Sequence, residues 1–399
     1  MGNLYRLNSL FELEISQFGN SLEIEKALLD RSTALEYLFL LLSNPNDYTI
    51  VSENPSSELL EYWETNNILY GKTIQTDTPY FAETITLNKK LPKDTTLIEW
   101  GNTSVLDAEN GILSKRKLLI SRSSGRNSKI KQLNWKETRK QNQVLSILCS
   151  NKMELEYSFH TFELPIVLKT EFGFSGRGHY ILKTNQDVHE ITKRIPDILK
   201  LNPNGVIVEE WVENKKIQDF SGLFDLFNRK SELIAITKML IDKNGSYRGS
   251  IIQKNFGKEF AEGMSSIIKD YIHHSFSYKG ALSLDGFTFE KDNEIKIQYM
   301  SEINFRYSMG RVLYELHKKI GQENEEYALL FFPVKNKNLT FKILTTGLSK
   351  IKTEFKTDLL LLTPLTNANG QKNPFLVFYV RNQKQLPLII MDAIKKLLS

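Results

Sequence analysis

The sequence predicts an α/β protein, and three observations carry that reading. Short apolar strands alternate with helical periodicity through the first part of the chain. From Pro165 the pattern changes to strand, glycine-rich loop, strand. Further on, paired apolar segments flank the turn-forming runs Asp242–Ser246 and Glu290–Glu294, which is the pattern of β-hairpins.

The elements follow in order. Thr33–Leu42 reads as a helix and Asp47–Ser52 as a strand. Pro55–Asn67 reads as an amphipathic helix with Leu59, Leu60 and Trp63 on one face. Leu97–Trp100 and Leu118–Ser121 read as further strands, so a parallel sheet is expected in this region. Ser121–Ser128 reads as a polar loop and a domain boundary, followed by a helix carrying Lys129 and Lys131. Ile166–Lys169, Tyr180–Lys183 and Val206–Glu210 read as strands. The hairpins join Leu233–Ile241 to Gly249–Lys254 and Leu282–Phe289 to Ile295–Ile303. Beyond about Phe331 come strands at Leu359–Leu362 and Phe375–Val380, the loop Asn367–Pro374 and a helix over Pro387–Leu398.

With 399 residues, 41% hydrophobic and 25% charged, the composition is that of a globular protein of more than one domain. A net charge of +5 on this length suits a small anionic substrate and does not indicate a nucleic-acid surface. A lone cysteine, Cys149, excludes an internal disulfide and fits a reducing compartment, so a cytoplasmic location is expected. Glu12 and Glu14 break any secretory apolar core, and the apolar runs at Leu35–Leu42 and Phe375–Val380 are too short to span a membrane. Monomer and homodimer both stay open.

Three stretches carry chemistry. In Leu168–Tyr180, Lys169 ends a strand and Gly173, Gly176 and Gly178 lie in the loop that follows. Such a loop turns backbone N–H groups toward phosphate oxygens while the lysine supplies a point charge. The spacing fits neither a Walker loop nor the dinucleotide fingerprint. A plain hairpin turn is the competing reading.

In the second stretch, Asp285 on one strand opposes Glu302, Asn304 and Arg306 on its partner. Side chains alternate along a strand, so 302, 304 and 306 share a face that Asp285 can join. Two carboxylates and an amide oxygen make a hard-oxygen site for Mg²⁺ (or Mn²⁺), and the arginine can meet phosphoryl charge. The rival is a solvated charged hairpin. In the third stretch, Val206–Glu213, an apolar strand runs into Glu209, Glu210, Trp211, Val212 and Glu213, which can offer backbone groups to a heterocycle. His273-His274 has no matching ligand pattern and reads as a surface pair.

In order and spacing these stretches resemble the ATP-grasp superfamily over about Asn127 to Arg311, with Ser301-Glu302-Ile303-Asn304-Phe305-Arg306 similar to its "E-I-N-P-R" strand. The resemblance implies an α/β pre-ATP-grasp domain over 1–125, a two-lobed α+β ATP-grasp domain over 126–325 and an α+β C-terminal extension over 326–399. It implies that Lys129 and Lys169 contact phosphates, with Gly173, Ser175, Gly176 and Gly178 forming a lid that closes over them. Glu210 and Val212 would hold adenine through the backbone, with Glu209 or Glu213 near its amine or the ribose, and Lys254 would be a further contact. Asp285, Glu302 and Asn304 would bind the metal, and Arg306 would act on the transferring phosphoryl group. Phe305 stands where the family has proline, which leaves the φ angle before Arg306 unfixed. The implied activity is ATP-dependent joining of a small-molecule carboxylate to an amine through an acyl phosphate. A carboxylase or kinase-type enzyme and a non-catalytic ATP-binding module are the alternatives.

Overall fold

The computed structural model describes residues 2–16, 26–76, 84–173, 178–212, 216–242, 245–273, 278–321, 326–367, 369–382 and 388–399. It is a mixed α/β structure.

The first region runs β1 (Asn3–Arg6), α1 (Phe11–Ser16), α2 (Lys26–Leu42), β2 (Tyr48–Val51), α3 (Ser57–Thr65), β3 (Lys72–Gln75), β4 (Thr84–Thr86), β5 (Thr96–Glu99), β6 (Ser104–Asp107) and β7 (Ile112–Lys115). Strands β3-β2-β1-β5 form a parallel sheet, as the strand–helix alternation predicts, because parallel neighbours need crossovers. A small antiparallel sheet, β4-β7-β6, lies beside it in sequence. Helix α3 starts where the Ser56 side chain accepts from the Leu59 N–H, and it buries Leu59 and Trp63.

One expectation fails. Leu118–Ser121, read as a strand, and Ser121–Ser128, read as a loop, together form helix α4 (Lys117–Asn127). Three consecutive apolar residues suggested a strand, but only Ile120 is buried, while Leu118 is exposed on the opposite side. The serines do not break the helix, because Ser123 turns inward to donate to the Asn102 carbonyl at 2.7 Å. Ser128 then caps α5 (Lys129–Thr138) by accepting from the Lys131 N–H.

A smaller lobe follows, with β8 (Ser146–Cys149), α6 (Lys152–Thr161), β9 (Ile166–Thr170), β10 (His179–Leu182), α7 (Asn185–Leu201) and β11 (Val206–Glu210). Its antiparallel sheet, β10-β9-β11-β8, buries Ile166, Leu168, Val206 and Val208 in a core shared with Ile191 and Ile195 of α7. Helix α7 begins with a full capping box between Thr184 and Asp187.

The remaining strands build one eight-stranded antiparallel sheet in the order β16-β15-β12-β13-β14-β17-β19-β18. These are β12 (Lys216–Phe227), β13 (Lys230–Ile241), β14 (Tyr247–Ile252), β15 (Gly280–Lys291), β16 (Glu294–Asn304), β17 (Glu326–Pro333), β18 (Asp358–Leu361) and β19 (Phe375–Asn382), with helices α8 (Lys258–His273), α9 (Met309–Ile320), α10 (Phe341–Phe355) and α11 (Leu388–Leu398). Both predicted hairpins are present, as β13–β14 and β15–β16. The strands after residue 326 continue this sheet without interruption through the β14–β17 pairing. Helix α8 covers one face through Met264 and Ile268. No described helix is long and apolar enough to cross a membrane.

Trp63 of α3 ties the first region to the last strands, donating its Nε1–H to the Leu361 carbonyl at 3.0 Å in a fully buried setting. Trp63→Phe keeps most of the ring and loses this donor. It is expected to lower the unfolding free energy by about 1–2 kcal/mol, measured by urea denaturation.

Candidate active site

The β15–β16 hairpin sets the geometry. Asp285 pairs directly with Glu302, and Ser283 with Asn304, so these side chains share one face of the large sheet. Two neighbouring carboxylates repel, and the structure offsets this with donors on both. Asp285 accepts from the Ser221 hydroxyl at 2.6 Å and from Asn304 Nδ2 at 3.0 Å. Glu302 forms an ion pair with Lys129 at 3.3 Å. Burial, first, and the Glu302 charge push the Asp285 carboxyl up to about 7, against the pull of Ser221 and Arg306.

Helices α4 and α5 hold this strand in place. The Gln132 side-chain amide grips the Ile303 peptide at both ends, donating to its carbonyl and accepting from its N–H, each at 2.8 Å. Asn127 Oδ1 accepts from the Phe305 N–H at 2.9 Å. That last bond exists only because residue 305 is not proline, which has no N–H. The phenyl ring is buried against Tyr271 and Tyr278. The rigidity that a proline gives through φ is supplied here by a hydrogen bond and a packed ring.

Arg306 therefore has a fixed base. Its guanidinium lies over the Trp100 ring at 5.3 Å and forms an ion pair with Glu12 of α1. Nothing in the sequence pattern singled out Glu12, because the contact joins segments nearly three hundred residues apart.

The other phosphate candidates are two lysines. Lys129 also donates to the Gly173 carbonyl at 3.4 Å, and Lys169 of β9 forms an ion pair with Glu209 of β11. Lys136 was missed as well. It is 4% exposed, and burial holds its ammonium below the ordinary lysine range against the opposing charge of Glu209. Its signal was legible, since 129, 132 and 136 recur at one-face helical spacing.

Gly178 has φ +79°, and a Cβ there would lie 2.2 Å from Thr170 Oγ1, so only glycine fits. Ser175 and Gly176, at the centre of the expected lid, lie outside the described residues, as do Glu213 and His274. At the hinge, the Glu210 N–H donates to the Leu145 carbonyl and the Trp211 N–H to the Pro165 carbonyl. Val144, Val212, Phe287 and Phe289 form an apolar cluster beside it. Lys254 is not brought to the group. It is exposed in the turn after β14, beyond Ile252, whereas the cavity-lining residues of that strand are Tyr247 and Ser250.

A cavity of 260 Å³ gathers Gly173, Asp285, Glu302, Asn304 and Arg306 with Glu12. A neighbouring one of 820 Å³ starts at Trp211 and shares Met239, Ile241 and Gly245 with the first. Among the described residues no three His, Cys, Asp or Glu side chains gather as a metal-binding group. The candidate set is two carboxylates and an amide oxygen.

Two outcomes test this geometry. Asn127→Ala leaves the Phe305 N–H buried without an acceptor and is expected to destabilise the fold by about 1–3 kcal/mol, read by thermal or urea unfolding. The second concerns pH. An unfolded aspartate titrates near 4, so between about 4 and 7 the folded chain keeps a proton that the unfolded chain has lost, and this contribution to stability falls as pH rises through that window. Without divalent cations, Asp285→Asn is expected to melt above the wild type at pH 8, with the gain shrinking towards pH 4. A gain independent of pH would contradict the assignment.

No family model matches the chain, and no curated protein matches it in sequence. Solved structures do match in fold. The N5-carboxyaminoimidazole synthetase from Staphylococcus aureus complexed with ADP is 12% identical, with a TM-score of 0.52, covering 99% of this chain and 97% of that one. Phosphoribosylamine–glycine ligase from Thermotoga maritima is 11% identical, with a TM-score of 0.54, covering 96% and 93%. An ADP complex of N5-carboxyaminoimidazole ribonucleotide synthetase gives 14%, 0.51, 99% and 95%. Near-complete coverage in both directions shows that the chain shares the fold of these synthetases and ligases throughout, and not only in its central hairpins.

Proposed function

We propose that the protein is an ATP-dependent carboxylate–amine ligase, activating a small-molecule carboxylate as an acyl phosphate. The observation that carries this reading is a single cavity lined by Asp285, Glu302, Asn304 and Arg306. Lys129 meets it through its ion pair with Glu302, and Lys169 pairs with Glu209, next in sequence to the adenine candidates Glu210 and Val212. Two acids, an amide and these cations are the charges that a metal-bound triphosphate needs. The similar synthetases and ligases support it, two of them being ADP complexes.

The residues fit Mg²⁺ or Mn²⁺, since Asp285, Glu302 and Asn304 offer only oxygen. When bound, such an ion neutralises phosphate charge. Lys129 and Lys169 each sit against a carboxylate, so phosphate oxygens can replace Glu302 and Glu209 as their partners. Arg306 then meets the charge that develops as the substrate carboxylate attacks the γ-phosphorus. An amine displaces phosphate from the acyl phosphate and an amide forms. The protein's own part is positioning and charge.

The runner-up is an enzyme that carboxylates or phosphorylates its substrate, and the carboxyamino products named for two of the similar synthetases favour it over a non-catalytic module. A buried, free Cys149 supports placing the protein in the cytoplasm.

Mass action raises the melting temperature at several-millimolar ATP–Mg²⁺ if binding is tighter than about millimolar. ADP and phosphate release with paired carboxylate and amine pools is the direct assay, and release with the carboxylate alone marks the runner-up. Arg306→Ala is expected to leave the nucleotide-induced shift in place and cut turnover about a hundredfold or more. Glu302→Gln should raise the Mg²⁺ concentration needed for half-maximal rate. No melting shift with ATP–Mg²⁺ would overturn the nucleotide reading.

A further inference from the structure

We propose that the 260 Å³ cavity is the pocket for a small α-amino acid, bound as a zwitterion with its carboxylate on Arg306 and its ammonium on Glu12. The assignment rests on the ligase reading and names the class of its carboxylate substrate.

The argument starts from the Arg306–Glu12 pair. The two side chains are 14% and 8% exposed, and both line the cavity. Arg306 Nε and Glu12 Oε1 face each other without the alignment of a hydrogen bond, so charge is what holds the pair. A simple carboxylate that took Arg306 would strand Glu12 as a buried anion, and a simple amine on Glu12 would strand Arg306. Breaking a buried pair by satisfying one partner only is strongly unfavourable. A ligand with both charges a few bonds apart opens the pair and re-forms it on both sides. The pair thus selects for zwitterions with adjacent charges.

Position decides which end reacts. Arg306 lies two residues beyond Asn304 and next along the cleft from the candidate metal acids, so the carboxylate on Arg306 is the group placed for phosphorylation. Its oxygen forms the bond to the γ-phosphorus, the bond from that phosphorus to the β-bridging oxygen breaks, and the electron pair leaves with ADP. The ammonium on Glu12 keeps its proton and cannot act as the nucleophile on its own acyl phosphate.

A second observation points to the same pocket. Ser283, the cross-strand partner of Asn304, is 1% exposed and lines the cavity, and its hydroxyl has no hydrogen-bond partner. A buried polar atom in that state is unfavourable unless a ligand completes it. Leu10, Leu35 and Met309 supply apolar wall, suited to a short side chain.

The test is calorimetric titration of the full chain without nucleotide. The probes are glycine, L-alanine and L-glutamate, each against its desamino counterpart, acetate, propionate or glutarate. At least one amino acid is expected to bind about 30-fold tighter than its counterpart. Glu12→Gln should narrow that ratio to within about threefold. Ser283→Ala should keep or raise the melting temperature, since it removes an unpartnered buried hydroxyl, and should weaken amino-acid binding about tenfold. The proposal is overturned if none of the probes binds up to about 50 mM, if desamino acids bind equally well, or if Glu12→Gln keeps the discrimination. It is also overturned if Ser283→Ala lowers the melting temperature and leaves binding unchanged. The ATP–Mg²⁺ melting shift on the same samples reports the nucleotide reading separately, so either can fail alone.

Discussion

The grip of helices α4 and α5 on the end of β16 is the constraint on which the cleft depends. Gln132 satisfies both backbone groups of Ile303, and Asn127 satisfies the N–H of Phe305. Glu302, Asn304 and Arg306 alternate with those two residues, so fixing the peptides fixes the side chains that point the other way. Helix α5 also carries Lys129 to Glu302. The junction of α4 and α5 therefore fixes the spacing of Lys129, Glu302, Asn304 and Arg306.

The charges of the cleft form a set of matched pairs: Lys169 with Glu209, Lys129 with Glu302, Arg306 with Glu12. Asp285 stands buried among these pairs, and burial first, then the Glu302 charge, raises its titration point. Such a site suits an anion and a divalent cation arriving together. Each incoming charge then finds the partner that the other releases, and no buried ion is left alone at an intermediate stage.

Much of this was legible in the sequence because it is local. That Asp285 and Glu302 share a face follows from the turn residues and alternation, and the parallel sheet follows from strand–helix order, but the register shift between Asp285 and Phe287 that brings Glu302 rather than Met300 directly opposite Asp285 leaves no mark in the sequence pattern. The misreading of Leu118–Ser121 shows the limit. Three apolar residues have no period, and what decided the matter was Ile120 facing a core that sequence does not display. Glu12 and Ser283 were invisible for a related reason, since a distant ion pair and an unpartnered hydroxyl leave no local pattern. Lys136 was within reach, as the third residue on the face that carries Lys129 and Gln132.

The largest core joins residues from both extremes of the chain, from Tyr5 and Phe11 to Ile394 and Leu398, and Trp63 bonds across a separation of 298 residues. On a ribosome this has a temporal meaning. Trp63 and the apolar face of α2 leave the exit tunnel prepared for partners that do not yet exist, because those partners lie far downstream in the chain. Until the downstream segments follow, the nascent protein displays an unfinished apolar surface, the state in which chaperones engage and aggregation competes.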